Sequence, residues 1–404
     1  MTRGPLEGIR IADFTFAWAG PYASTLLAYM GAEVIHVEST RRPDHSRMIS
    51  LTTRRRFSGL NQSPVFNDIN MGKLGITIDL TKPKAVELAK RLVKVSDVVA
   101  QNMRPGVMER LGLGYEALRE VKPDIIYLSS SARGAYGPER FYVGYAPSFA
   151  ALGGLSHLTG YPDEPPAQMM GEIDLISATT SAFAILVALN HRQRTGEGQH
   201  IDLSSSETIS VLLGEVLMDY DMNKRVNSRR GNRDDIMAPH NCYRCKGDDK
   251  WVSIAISSDE EWKAFCKAIG KPEWIEDERF CDAYSRKRNE EVLDRLIGQW
   301  TIDRTHLEVM DILQRVGVAA VPSFNSEELY NDPHLKERGL FTEVYHPDVG
   351  KQIVVSPPWK FSATPARIYR RSPLFGEHNN YVFGELLGMS SDEIQRLVEE
   401  KVIY

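Results

Sequence analysis

"GIRIADFTFAWAGPYASTLLAYMGAEVIHVES", residues 8–39, decides the fold. "GIRIADFT" (8–15) is a short β-type run, Gly20-Pro21 punctuates the chain beyond it, and Ala, Leu and Met then carry a helix as far as Met30. Gly31 suits the end of that helix, and "EVIHVE" reads as a second strand. Strand, loop, helix and strand in this order form the unit from which open α/β sheets are assembled.

The same grammar continues downstream. "GITIDL" (75–80), "DVVAQN" (97–102) and "DIIYLSSS" (124–131) read as further strands, with a helix over 82–96 that has Pro83 in its first turn. Residues 105–123 read as two short helices broken by glycines. The strands are short apolar runs without alternation, the pattern of parallel strands buried on both faces. A long apolar helix is expected over 175–196, stopped by Gly196, then a strand and a helix over 198–222. The polar, basic stretch 223–235 reads as a linker, residues 243–256 as a hairpin, and 259–316 as a helical region with tryptophans at 262, 274 and 300. Strands around 339–358 and a last helix over 390–400 complete a chain expected to divide at 1–224, 225–325 and 326–404.

The 404 residues are 42% apolar, enough for more than one buried core. Lys and Arg total 49 against 54 Asp and Glu, so a net charge of -5 offers no overall basic face to a nucleic acid. Four cysteines are too few to staple a chain of this length, and neither a membrane span nor a secretion signal is read from the sequence. A cytoplasmic location is expected. Cys242 and Cys245 form a lone C-x2-C pair, so no metal site is assigned.

No GxGxxG follows the first strand and no GxxxxGK occurs, so the usual dinucleotide and P-loop fingerprints are missing. His157, His334 and His378 have no nucleophile elbow to serve. Basic residues cluster in "TRRPDHSR" (40–47), "TRRRF" (53–57), Lys73 and Arg104, near expected strand ends where open sheets bind ligands, which suits a polyanionic partner. Glu172 and Asp174 precede the long apolar helix. A carboxylate there either caps the helix or, in a dry cleft, attacks an activated acyl group, with Ser177, Ala178 and Ser181 leaving room for a ligand. Residue types alone leave both roles open.

The segments "LEGIRIADFTFAWAGPYASTLLAYMGAEVIHVE" (6–38), "NMGKLGITIDL" (70–80), "NMRPGVMERLGLGYEALREVKPDIIYLSSSARGAYGP" (102–138), "IDLISATTSAFAILVALNHRQRTGEGQHIDLS" (173–204) and "FGEHNNYVFGELLGMSSDEI" (375–394) resemble class III coenzyme A transferases of the CaiB/BaiF type. The resemblance implies a large Rossmann-like CoA-binding domain built from both ends of the chain, a small inserted α+β domain, and an interlocked homodimer. It also implies transfer of CoA from an acyl-CoA to a free carboxylic acid, through an aspartyl anhydride and an aspartyl-CoA thioester, with coenzyme A as substrate and no tightly bound cofactor.

Counting back from "ILVALNHRQRTGEGQ", the resemblance places the catalytic aspartate at Asp174. It places CoA contacts at Ala17, Trp18, Lys73, Asn102, Met103, Arg104 and Arg133. Formyl-CoA transferases have glutamine where Trp18 stands and arginine where Ser39 follows Glu38, so Arg41 or Arg42 is the expected substitute for the lost charge. The glycine-run loop of the oxalate enzymes has no counterpart, which argues against formyl or oxalyl substrates. Tyr145 and Phe149 are candidate pocket residues for an aromatic or dicarboxylic acid. Two alternatives share the fold. A 2-methylacyl-CoA racemase would have histidine where Tyr145 stands, and a phenol with an ordinary pKa of about 10 is a poor base. A non-catalytic CoA-binding protein is the other.

Overall fold

The computed structural model describes residues 4–49, 59–169 and 171–404. The basic stretch 53–57 lies outside the described residues. The chain forms two compact units. One comprises Met1–Ser156, Gln168–Arg225 and Lys336–Tyr404, and the other His157–Ala167 with Val226–Leu335. Composition placed the small domain at 225–325, so the excursion at 157–167 and the last ten residues of the second unit lie outside that expectation.

The first unit is organised by six strands: β1 (Arg10–Phe14), β2 (Glu33–Glu38), β3 (Leu74–Thr77), β4 (Val98–Gln101), β5 (Ile126–Ser131) and β6 (His200–Ser204). They lie in the order β3-β2-β1-β4-β5-β6, and every neighbouring pair is parallel. This is the doubly wound dinucleotide-binding order, in which the direction of winding reverses between β1 and β4 and ligands bind outside the strand carboxyl ends at that point. Its helices are α1 (Ala19–Tyr29), α2 (Pro64–Ile69), α3 (Pro83–Lys94), α4 (Val107–Arg110), α5 (Tyr115–Val121), α6 (Ala146–Leu152), α7 (Leu155–Leu158), which runs to the unit boundary, α8 (Gly171–Thr195), α9 (Ser205–Ser210) and α10 (Gly214–Asn223).

Successive strand side chains feed two cores. Ala12, Ile35, Ile76 and Val99 pack with Leu88 and Leu92 of α3 and with Val382, Phe383 and Leu397 of the returning carboxy-terminal segment. Ile11, Val34, Val98 and Leu128 pack with Leu26 and Leu27 of α1 and Ala182, Ile185 and Leu189 of α8. With a core on each face, the strands read as unbroken apolar runs.

By length and composition α8 is apolar enough to cross a bilayer, contrary to the sequence expectation, although one such helix is also what a soluble protein's core requires. Its buried face packs on α1 and the sheet.

The second unit has an antiparallel sheet of β7 (His240–Arg244), β8 (Trp251–Ala255) and β9 (Ala319–Pro322). It carries α11 (Asp259–Ala268), α12 (Ala283–Arg288), α13 (Glu290–Thr301), α14 (His306–Gln314), α15 (Ser326–Asn331) and most of α16 (Pro333–Glu337). Trp262 and Trp274 stack in its core, with Trp300 packed at the margin. Back in the first unit, β10 (Phe341–His346) and β11 (Gly350–Val355) form a hairpin, and α17 (Ser391–Glu399) ends the chain's helices. Among the described residues, no three His, Cys, Asp or Glu side chains come together as a metal site.

Candidate active site

The turn after β1 and the turn after β4 flank the switch point. Asn102, first residue past β4, holds the peptide of Phe16: its Oδ1 accepts the Phe16 N–H at 2.8 Å and its Nδ2 donates to the Phe16 carbonyl at 2.7 Å. Gly20 lets this approach happen, because a Cβ there would stand 2.5 Å from Thr15 Cβ and 3.0 Å from Asn102 Cγ. Ala17, Trp18, Asn102, Met103 and Arg104 are therefore brought together at the carboxyl edge.

Three consecutive N–H groups of the β1–α1 turn are already taken. Thr15 donates to Asp13 Oδ1 at 3.0 Å, Phe16 to Asn102, and Ala17 to Asp44 Oδ1 at 3.1 Å. A glycine-rich phosphate loop would offer such groups to a pyrophosphate. Here side chains occupy them, which gives the missing GxGxxG a structural counterpart. Ala17 has a left-handed backbone, φ +74°, a conformation that non-glycine residues seldom adopt.

The candidate cations differ in what they can reach. Arg104 is exposed, and its side chain makes no ion pair or hydrogen bond among the described residues. Arg133 is held by Glu139 at 2.6 Å and by the Ser206 hydroxyl at 3.0 Å. Arg41 is exposed and pairs with Asp79 at 3.2 Å, beyond the end of β3. Met103 packs partly into the core, with its N–H on Gln101 Oε1 at 2.8 Å.

Lys73 requires a correction. It is fully buried, and its three ammonium protons go to Asp13 Oδ2 at 2.9 Å, the Pro21 carbonyl at 2.8 Å and Asn70 Oδ1 at 2.9 Å. None remains for a ligand.

The charge on Glu38 is met by Arg47, the last residue of the basic stretch 40–47 expected to face a polyanionic partner. Arg47 donates to Glu38 at 2.7 and 2.8 Å, stacks on Phe66 at 3.4 Å, and is fully buried. Asp13, His36, Asp44 and Lys73 are buried beside this pair. A histidine and an aspartate inside otherwise apolar strand runs were the available signal.

Asp174 lies in the first turn of α8. It is half-buried, and its carboxylate accepts no hydrogen bond among the described residues, so it does not act as the helix cap there. Burial without a compensating partner pushes its pKa up to about 6. Glu172 is exposed. Ser177, Ala178 and Ser181 are buried, Ser177 Oγ lying 3.5 Å from Thr208 Oγ1 of α9, so α9 fills room that the small residues were expected to leave. Phe149 packs with Ile173, the residue before Asp174, and with Ile209. Gly153 permits this packing, since a Cβ there would meet Ile209 Cβ at 2.7 Å. Tyr145, which opens α6, is 80% exposed.

The length of α8 sets where Asp174 stands. At its far end Arg192 donates to Asp97, just before β4, at 2.7 Å. Eighteen helical residues cover roughly 27 Å, whereas Asp97 to Asn102 in extended form covers roughly 17 Å. The amino end of α8, with Asp174, thus lies toward the carboxyl ends of the strands, as the Asn102 cluster does.

Known proteins resemble this chain along nearly its whole length. Residues 6–379 match the family described as CoA-transferase family III. The chain is 34% identical over 400 residues to the succinyl-CoA–D-citramalate CoA-transferase of Chloroflexus aurantiacus, covering 99% of this chain and 98% of that one. It is 31% identical over 384 residues to the succinate–glutarate CoA-transferase of Agrobacterium fabrum, covering 95% and 96%. A crystal structure of a CaiB/BaiF family protein from Brucella suis superposes with a TM-score of 0.85 at 30% identity, covering 95% of this chain and all of that one. With a family match over most of its length and relatives aligned end to end, the chain belongs to the class III CoA-transferases of the CaiB/BaiF type and is an enzyme that moves CoA between an acyl-CoA and a carboxylic acid.

Proposed function

We propose that this enzyme exchanges CoA between succinyl-CoA, or a close dicarboxylic analogue, and a second small dicarboxylic acid, with Asp174 as the covalent carrier. The observation that carries the mechanism is the state of Asp174: half-buried, without a hydrogen-bond partner among the described residues, and less stabilised as an anion than an ordinary carboxylate. Such a group keeps its lone pairs for attack. The choice of dicarboxylic acids follows the two relatives above, each named for succinate or succinyl-CoA and a second dicarboxylic acid.

The exchange runs in four balanced displacements. An Asp174 oxygen attacks the thioester carbonyl and CoA thiolate leaves, giving a mixed anhydride. The thiolate then attacks the aspartyl carbonyl and expels the donor acid, leaving an aspartyl-CoA thioester. The acceptor carboxylate attacks this thioester, forms a second anhydride and frees the thiolate again. Thiolate attack on the acceptor carbonyl releases the new acyl-CoA and restores Asp174. No proton is transferred and no ATP is used, because one activated acyl group, thioester or anhydride, is present at every stage. Water must be excluded from both intermediates, and the tetrahedral oxyanions need backbone N–H donors.

Asp174 and the switch-point turn stand on different elements, and coenzyme A, whose long pantetheine arm joins a polyanionic nucleotide to the reacting sulfur, can engage both. Arg104, Arg133 and Arg41 supply cationic character along the carboxyl edge for the nucleotide end.

The protein is proposed to act as an interlocked homodimer. Phe183 and Val187 of α8, Val211 and Leu212 after α9, and Leu217 and Met222 of α10 are all more than half exposed, an apolar surface of the kind a second chain covers. Incubation with succinyl-CoA and a panel of C4 and C5 dicarboxylic acids, followed by mass measurement of the thioesters, tests the activity. Formation of the acceptor's CoA ester with release of succinate is the expected result.

A further inference from the structure

Beneath the β1–α1 turn lies a buried cluster with three carboxylates and three basic groups: Asp13, Glu38 and Asp44 with His36, Lys73 and Arg47. His36 projects from β2 into its centre, packed between the rings of Phe16 and Phe66. Its Nδ1 is 3.3 Å from Asp13 Oδ2, and its Nε2 is 3.5 Å from Asp44 Oδ2. Neither His36 Nε2 nor Asp44 Oδ2 has a closer polar partner. The other oxygens of these two aspartates hold the turn, Asp13 Oδ1 through the N–H and hydroxyl of Thr15 and Asp44 Oδ1 through the N–H of Ala17.

We propose that His36 is a positioning residue for the acyl-CoA site: by spanning Asp13 and Asp44 it fixes both anchors of the Thr15–Ala17 turn and keeps Ala17 in its left-handed conformation. The proposal rests on CoA binding at this edge of the sheet. An isolated dipeptide step would not keep alanine at φ +74°, so an external restraint must supply the preference. Asp44 supplies it directly; Ser46 holds the same Asp44 Oδ1 through its N–H at 2.8 Å and its hydroxyl at 2.7 Å, and His36 faces the remaining Oδ2.

The charge state fits the same role. Burial alone would lower the His36 pKa, but its contacts with Asp13 and Asp44 outweigh that and raise it to about 9, assisted by the field of Glu38. Lys73 from before β3 and Arg47 from the turn after β2 face the same carboxylates and balance their charge. As a cation His36 donates through Nδ1 to Asp13 and turns a charged N–H toward Asp44 at 3.5 Å, a charge contact rather than a hydrogen bond. Neutral, it loses the charge that attracts both carboxylates.

The test uses S-methyl coenzyme A, which has no thiol to titrate and cannot react, with the full-length protein. His36→Leu is expected to raise its dissociation constant at least tenfold, and amide exchange in residues 15–18 is expected to quicken at least tenfold while β1 stays protected. His36→Gln, a neutral side chain with one donor nitrogen, should fall between wild type and His36→Leu. Adding Ala17→Gly to His36→Leu should recover much of the lost affinity, because glycine takes a positive φ without strain; general damage to the fold would not respond in this way. If His36→Leu does not fold, wild type between pH 8 and 10 provides the measurement, with affinity falling as the imidazolium loses its proton. Unchanged affinity and unchanged exchange at 15–18 in folded His36→Leu, or in wild type across that range, would overturn the proposal. Failure of wild type to bind the analogue would instead overturn the location of the CoA site, and the exchange data would still decide whether His36 clamps the turn.

Discussion

Asn102 grips both backbone groups of one residue, accepting from the Phe16 N–H at 2.8 Å and donating to the Phe16 carbonyl at 2.7 Å. The two lips of the switch point are thus joined by one side chain. Asn102→Ala should cost about 1–3 kcal/mol in denaturant unfolding, since it leaves a partly buried N–H and carbonyl unmatched. It should also raise KM for acyl-CoA at least tenfold. Asn102→Asp keeps the acceptor and loses the donor, so its effect should fall between the two. Equal KM values in all three proteins would separate this grip from ligand binding.

With Asp174 as the proposed covalent carrier, activity should have an acid limit. Its pKa stands at about 6 against an ordinary 3.8, raised by burial, and only the carboxylate attacks. The rate of exchange should therefore fall as pH drops through about 6, with one ionisation controlling the acid limb. A rate constant down to pH 4.5 would contradict this.

The same shift carries a stability consequence of opposite sense. The folded state holds the Asp174 proton more tightly than the unfolded chain, so stability declines as pH rises from about 4 to about 6. Asp174→Asn removes the buried charge and should stabilise the protein by about 1–2 kcal/mol at pH 7.5, with the gain vanishing near pH 4. Thermal melts of both proteins at the two pH values check it.

Lys73 should behave as a structural ion. Lys73→Met leaves Asp13 buried without its ammonium partner and should destabilise the fold by about 3–5 kcal/mol. Affinity for CoA in the fraction that remains folded should change far less than it does in Arg104→Ala, whose side chain is exposed at the carboxyl edge. A large affinity loss with normal stability in Lys73→Met would return the lysine to the ligand site.

Much of the fold was legible because its strands are parallel and doubly covered. "EVIHVE" appears in the structure with the bounds that its apolar run suggests, and Pro83 starts α3. The first turn of α8 was harder to place. Gly171 and Glu172 carry no apolar periodicity, so the helix begins four residues before the apolar run that marks it. The switch-point residues follow from strand ends and were reachable. The buried ionic cluster was not, because its members come from β1, β2, the turn at 44–47 and the residue before β3, and no local pattern joins them. Lys73 was misplaced for that reason: a lysine beside a strand looks like a ligand for phosphate until the aspartate that claims it is seen.

Isotope transfer tests the covalent role of Asp174 most directly. In the proposed sequence, the acceptor acid leaves one of its own oxygens on the Asp174 carboxylate when the second anhydride is cleaved by thiolate. With an acceptor labelled in both carboxylate oxygens by ¹⁸O, the peptide containing Asp174 should gain heavy oxygen in step with turnover, and no other peptide should. Continued formation of the acceptor's CoA ester with that peptide unlabelled would contradict the account.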